Sequence, residues 1–131
     1  MDTNQSLGVL NTSVAYLSVQ DSIVSIELRP NCNPTLEEIQ EIILVRSQLV
    51  GSQPFATLII MNGGTLPPKE IREYIAALDK KNSRATAFLC VNEQESMTAN
   101  FYLKVNNPAS PTRIFGLRSK ATNWLMEMLR E

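Results

Sequence analysis

The residue types that most often carry chemistry are thin in this chain. None of its 131 residues is a histidine and two are cysteines. That removes His-dependent Ser and Cys triads and His-containing zinc sites, and two cysteines are too few for an all-Cys zinc site. Acid–base work would fall to Asp, Glu, Lys, Tyr or Cys, and no pair of these stands at a telling spacing. A non-catalytic protein without metal or cofactor is the expectation. Cys90, in an apolar run beside Asn92, has no neighbouring cation in sequence to lower its pKa and reads as an inert core thiol. Cys32 lies in a polar loop, so the two do not resemble a disulfide framework.

The remaining candidate is the turn Asn62-Gly63-Gly64-Thr65. Paired glycines can expose successive N–H groups as an anion-binding nest. No Gly-Lys-Ser/Thr follows, so this is not a nucleotide-binding P-loop. A turn whose glycines serve backbone geometry alone is the favoured reading. Thr65 carries the hydroxyl of that turn.

Charge narrows the partners. Twelve basic residues against thirteen acidic ones leave a net charge of −1, and no basic stripe is present to neutralise phosphates, so nucleic acid is not expected. The densest basic cluster, Lys80-Lys81 with Arg84, falls at a helix-to-strand turn and reads as solvated surface. Glu70, Arg72 and Glu73 are either a binding surface or solvated charges. No apolar run approaches the ~20 residues that span a bilayer. Met1 to Ser6 lacks the basic and apolar regions of a signal peptide. A cytoplasmic protein without membrane insertion is expected.

The element that positions the turn is Phe55-Ala-Thr-Leu-Ile-Ile-Met61, one polar residue in seven without alternation, as in a strand covered on both faces. Before it, Met1 to Thr12 reads as a flexible arm, with Leu7 to Leu10 a weak strand extension, and the domain as residues 13–131. Ser13 to Val19 and Ile23 to Leu28 flank Gln20-Asp21-Ser22 as a hairpin, half exposed as at a sheet edge. Thr35-Leu-Glu-Glu38 is a capping box opening a helix whose inner stripe is Ile39, Ile42, Ile43, Arg46, Leu49 and Val50, ended by Gly51. A second helix opens at Leu66-Pro67-Pro68, with Leu66 stapled to Ile71 and a stripe of Ile71, Tyr74, Ile75 and Leu78, ending over Asp79 to Ser83. Arg84 to Val91 is the next strand. Asn92 to Glu95 caps a helix with a stripe of Met97, Phe101 and Val105, widened by Leu103. Pro111 to Phe115 is the last strand, and Leu117, Ala121, Trp124, Leu125 and Met128 trace a final amphipathic helix with Trp124 as core anchor. Helices alternating with strands after a hairpin require βαβ crossovers: one mostly parallel sheet and about four helices. The turns after parallel strands, Asn62 to Thr65, Asn92 to Glu95 and Gly116, would gather at one end, where open α/β sheets usually bind ligands.

The pattern Asn100-Phe-Tyr-Leu-Lys-Val-Asn-Asn-Pro108, then Pro111-Thr-Arg-Ile-Phe115, then Ala121 with Trp124-Leu125 resembles the C-terminal half of small bacterial STAS-like domains, relatives of the anti-sigma-factor antagonists of sporulation. The element order extends the resemblance over Ser13 to Leu129. It implies a STAS-like fold, regulation through protein partners, and phosphorylation of a Ser or Thr in the loop after the central strand, here Thr65 in Asn62-Gly63-Gly64-Thr65. The family's Asp-Ser pair is replaced by Asn62-Gly63, and two prolines occupy the next helix start. A protein partner is what the resemblance implies, and edge strands with amphipathic helices offer the self-complementary surface of a homodimer. The alternative is a small-molecule or lipid-binding module with an apolar pocket between helices and sheet. A deep cavity lined by Phe101, Met97 or Trp124 favours that alternative; a closed core with an exposed apolar helix face favours the interaction protein.

Overall fold

A computed structural model describes residues 9–65, 67–78 and 82–131. The strands are β1 (Val9–Asn11), β2 (Ala15–Gln20), β3 (Ile23–Leu28), β4 (Phe55–Ile60), β5 (Ser83–Leu89) and β6 (Thr112–Phe115). The helices are α1 (Leu36–Val50), α2 (Lys69–Ala76), α3 (Glu93–Asn106) and α4 (Arg118–Arg130). The expected staple from Leu66 to Ile71 and the turn at Lys80-Lys81 lie outside the described residues, as do residues 1–8.

The six strands form one sheet in sequential order. β1, β2 and β3 pair antiparallel, and β3 through β6 are parallel. Each crossover from β3 onward steps the same way along the sheet. The right-handed rule for such crossovers then places α1, α2 and α3 on one face. α4, which follows the last strand, crosses the other face against β3 to β6. The expected mixed α/β sheet with an antiparallel hairpin and four helices is what the described residues form, with helices on both faces.

The hairpin turns at Asp21 and Ser22, both with positive φ (56° and 67°), the twist that two-residue turns between antiparallel strands need. The pair is not at the edge, however. β1 flanks β2 and β4 flanks β3, because Leu10 sets against the fully buried Leu17. Part of the stretch read as an arm up to Thr12 is therefore sheet. Thr12 itself is buried and its Oγ1 accepts from the N–H groups of Val14 and Ala15 at 3.2 and 3.0 Å.

α1 begins as its sequence dictates. Thr35 Oγ1 accepts from Glu38 N at 3.2 Å, and Glu38 Oε1 accepts from Thr35 N at 2.9 Å. Gly51 ends it at φ 61° and ψ −133°, a conformation costly for any residue with a Cβ. α3 is capped by Asn92, whose Oδ1 accepts from Glu95 N at 2.9 Å.

The stripe expected to bury α3 does not face the sheet. Met97, Phe101 and Val105 are 66%, 43% and 55% exposed, whereas Glu95, Ala99 and Tyr102 are buried. Periodicity alone cannot choose between these faces: both recur at helical spacing, and the buried one is held by Tyr102 against Phe88 of the sheet and by Glu95 at the turn after β4. Arg72 of α2 sets its guanidinium 5.2 Å from the Phe101 ring centroid and covers part of the exposed stripe.

Candidate functional site

The turn after β4 is built as a clamp. Asn62 and Gly63 both have positive φ (49° and 82°), a region that asparagine and glycine tolerate best. A Cβ at Gly63 would stand 2.5 Å from Asn31 Oδ1, so close approach as well as φ requires glycine. Asn62 Nδ2 donates to Leu28 O at 2.8 Å and to Glu27 Oε2 at 3.2 Å, joining the ends of β3 and β4. Gly63 N donates to Glu95 Oε2 at 2.7 Å, and Glu95 Oε1 accepts from Val91 N at 3.0 Å. One buried carboxylate thus binds the turns after β4 and β5 together, with the N-terminus of α3 adding favourable dipole.

That arrangement answers the anion-nest question for Gly63, because the protein's own Glu95 occupies its N–H. Thr65 is exposed and its hydroxyl donates to Asn33 Oδ1; a phosphate there would displace this bond. The turns expected to gather do so at Asn62-Gly63 and Val91 to Glu95. They close on each other instead of leaving a crevice. The parallel strands run in sequential order, so the sheet has no point where strand order reverses and neighbouring loops splay apart.

The open space is elsewhere, between the sheet and α1, α2 and α3. A cavity of about 170 Å³ lies there, reaching Gly64 and Thr65 at one end. Its walls come from Ile39, Ile42 and Ile43 of α1, Ile75 and Ala76 of α2, and Ala99 and Tyr102 of α3. The floor is the sheet face that carries alternate residues of β3 to β6, in two tiers. Ile26, Ile59 and Phe88 are register partners and form an apolar tier. One step toward the strand beginnings, Thr57, Thr86 and Thr112 are register partners too, so three hydroxyl-bearing side chains cross the floor in a row. All of these except Ile114, the neighbour of Phe88 on β6, line the cavity. None of Met97, Phe101 or Trp124 does: the first two point to solvent and Trp124 packs on the opposite face against Phe115, rings 5.6 Å apart.

Arg46 stands at the end of the threonine row. It is 6% exposed, its guanidinium 4.8 Å from the Phe55 ring centroid, with Nη1 at 3.5 Å from Thr57 Oγ1. Burial pushes the guanidinium down to about 10, against a smaller opposing influence of Tyr74. Tyr102, edge-on to Phe88 at 5.8 Å, is pushed up to about 12 by burial. Neither titrates near neutrality, so each keeps one charge state there; Arg72 also lines the cavity. Cys32 is on its wall, with a thiol raised by burial. Cys90 contacts Met61 sulfur at 3.8 Å and is pushed up to about 11, by burial first and then by Glu95. Both are poor nucleophiles at pH 7. Among the described residues no group of three or more His, Cys, Asp or Glu is placed to hold a metal ion, and no helix is long and apolar enough to cross a membrane.

Sequence reasoning placed Arg46 on the inner stripe of α1 without drawing its consequence. That arginine among isoleucines was the available signal for a polar spot within an apolar chamber. The threonine row had none, because its members are 26 to 29 residues apart and meet only through strand register.

The chain belongs to the family of a domain of unknown function, DUF7793, which matches residues 17–129. No curated protein matches it. It is similar to a protein of unknown function from Arthrobacter sp. FB24, whose crystal structure was determined at 2.20 Å. The two share 20% identity over 83% of this chain and 96% of that one, with a TM-score of 0.32.

Proposed function

We propose that the protein is a non-catalytic binding domain that holds a small apolar molecule between its sheet and the three helices α1 to α3. The observation that carries this reading is the cavity itself: about 170 Å³ with predominantly aliphatic and aromatic walls. An apolar cavity of about 150 Å³ is enough to take up benzene. No carboxylate or histidine is among its lining residues. The rim at Gly64 and Thr65 belongs to the turn that Glu95 clamps. Occupancy of the chamber would therefore reach the loop through which STAS-like regulators meet their partners.

The test is calorimetric titration with toluene together with a thermal melt. Saturable binding and a Tm that rises with toluene concentration are expected, and the Ala99→Leu variant, which puts three more carbons into the chamber, loses both. No heat and no Tm shift would end this reading.

A second reading, regulation through a protein partner, is favoured by a separate observation. Met97, Phe101 and Val105 give α3 an apolar stripe facing solvent, the kind of surface that protein partners cover. A Met97→Lys, Val105→Lys variant tests it: loss of a co-purifying partner or of a dimer supports the reading, and unchanged mass and partners in native mass spectrometry oppose it.

A further inference from the structure

Resting on the chamber reading above, we infer that its ligand is amphipathic: a compact apolar body with one hydroxyl-like oxygen head directed at the threonine row. A purely apolar guest would not need what the floor provides. Thr57, Thr86 and Thr112 are adjacent in register across three parallel strands, and all three line the chamber. Hydroxyls both donate and accept, while the buried guanidinium of Arg46 beside them only donates. Thr112 already donates to Ser110 O at 2.9 Å, and Thr57 accepts from Arg46. The row is thus polarised at both ends, with Thr86 at its centre.

The next tier, Ile26, Ile59 and Phe88, offers no hydrogen bond. An oxygen at the first tier and carbon at the second satisfies both, and the reversed orientation buries an unpaired hydroxyl against Ile59 and Phe88, at a cost. At about 170 Å³ the space suits a guest of roughly six to eight non-hydrogen atoms, judged against the cavity that takes benzene. Depth and chemistry together specify a small phenol or a short-chain alcohol.

Phenol and toluene differ by one hydroxyl in place of one methyl and decide the question. A wholly apolar chamber takes toluene more tightly, by on the order of tenfold, because phenol must leave its water behind. The threonine row reverses that order, so phenol is expected to bind the wild-type protein at least as tightly as toluene. Thr86→Val keeps the shape, removes the central hydroxyl and is expected to weaken phenol by about fivefold to tenfold while leaving toluene unchanged. Thr57→Val, the second variant, should act in the same direction. Toluene tighter than phenol in the wild type, or equal losses of both in Thr86→Val, overturns this inference and leaves the chamber reading standing. Failure of both compounds to bind the wild type sinks the chamber reading as well.

Discussion

The two faces of the sheet are covered by the same means and finish differently. On the α4 face, Ala56, Ala85 and Ala87 leave a shallow trough with no exposed surface, into which Ala121 and Leu125 of one continuous helix settle beside Leu58. Small residues on both sides let helix and strands approach until no gap is left. On the other face three separate helices must cover bulkier residues such as Ile26, Ile59 and Phe88. They meet over the middle of the floor with space between them. The difference teaches that a void here is a consequence of covering one face with three pieces, and polar side chains from strands far apart in sequence line it.

The largest expected effect breaks the closed face. Leu125→Ala should cost about 3–4 kcal/mol in urea denaturation, the usual size for a fully buried leucine that leaves a cavity behind. A matched pair then sharpens the contrast. Ala87→Leu on the closed face should cost about 2–3 kcal/mol from overpacking, whereas Ala99→Leu in the chamber should stay within about 1 kcal/mol of wild type, since its added carbons fill space. Equal costs in that pair would mean the two faces are packed alike.

Glu95→Gln tests the clamp at the rim. It keeps the shape but leaves a single acceptor oxygen, so one of the bonds from Gly63 N and Val91 N is lost against the new NH2 and the other is no longer charge-assisted; a loss of about 2–3 kcal/mol is expected, together with faster amide hydrogen exchange at Gly63. The cysteines separate the faces by reactivity. Iodoacetamide at pH 8 should label Cys32 on the chamber wall well before Cys90, and a bound guest should slow the labelling of Cys32 alone. Cys90 also gives a signed pH effect. Its thiol, at 9.0 when unperturbed and about 11 here, is neutral in both folded and unfolded chains below pH 9. Between pH 9 and 11 the unfolded chain alone ionises, so its contribution to stability falls as pH rises through that window. Cys90→Ser should flatten this part of the stability profile. The smallest effect is at the solvent side of α3, where Met97→Lys should change stability by no more than about 0.5 kcal/mol.

Strand and helix positions were legible from local pattern. The capping box at Thr35 and Glu38, the glycine stop at Gly51 and the turn at Asp21-Ser22 all form as their residues require, because each is an interaction within a few residues of chain. The inner face of α3 was not legible. Met97-Phe101-Val105 and Ala99-Tyr102 have similar periods, and hydrophobicity pointed to the larger set. The contact of Tyr102 with Phe88 and the bond from Gly63 N to Glu95 selected the other. The candidate turn was found from its glycines, but its role was not, since the carboxylate that occupies Gly63 N–H comes from Glu95, 32 residues away.

What the sequence determined by itself was the class of the fold and the alternation of its elements, along with the lack of histidine, all of which follow from composition and short-range spacing. The tertiary structure alone decided that β1 shields the hairpin, that sequential strand order closes the loop end of the sheet, and that three threonines and Arg46 meet beneath three helices. Strand register and helix placement bring together residues far apart in the chain, and no local pattern encodes where such residues will meet.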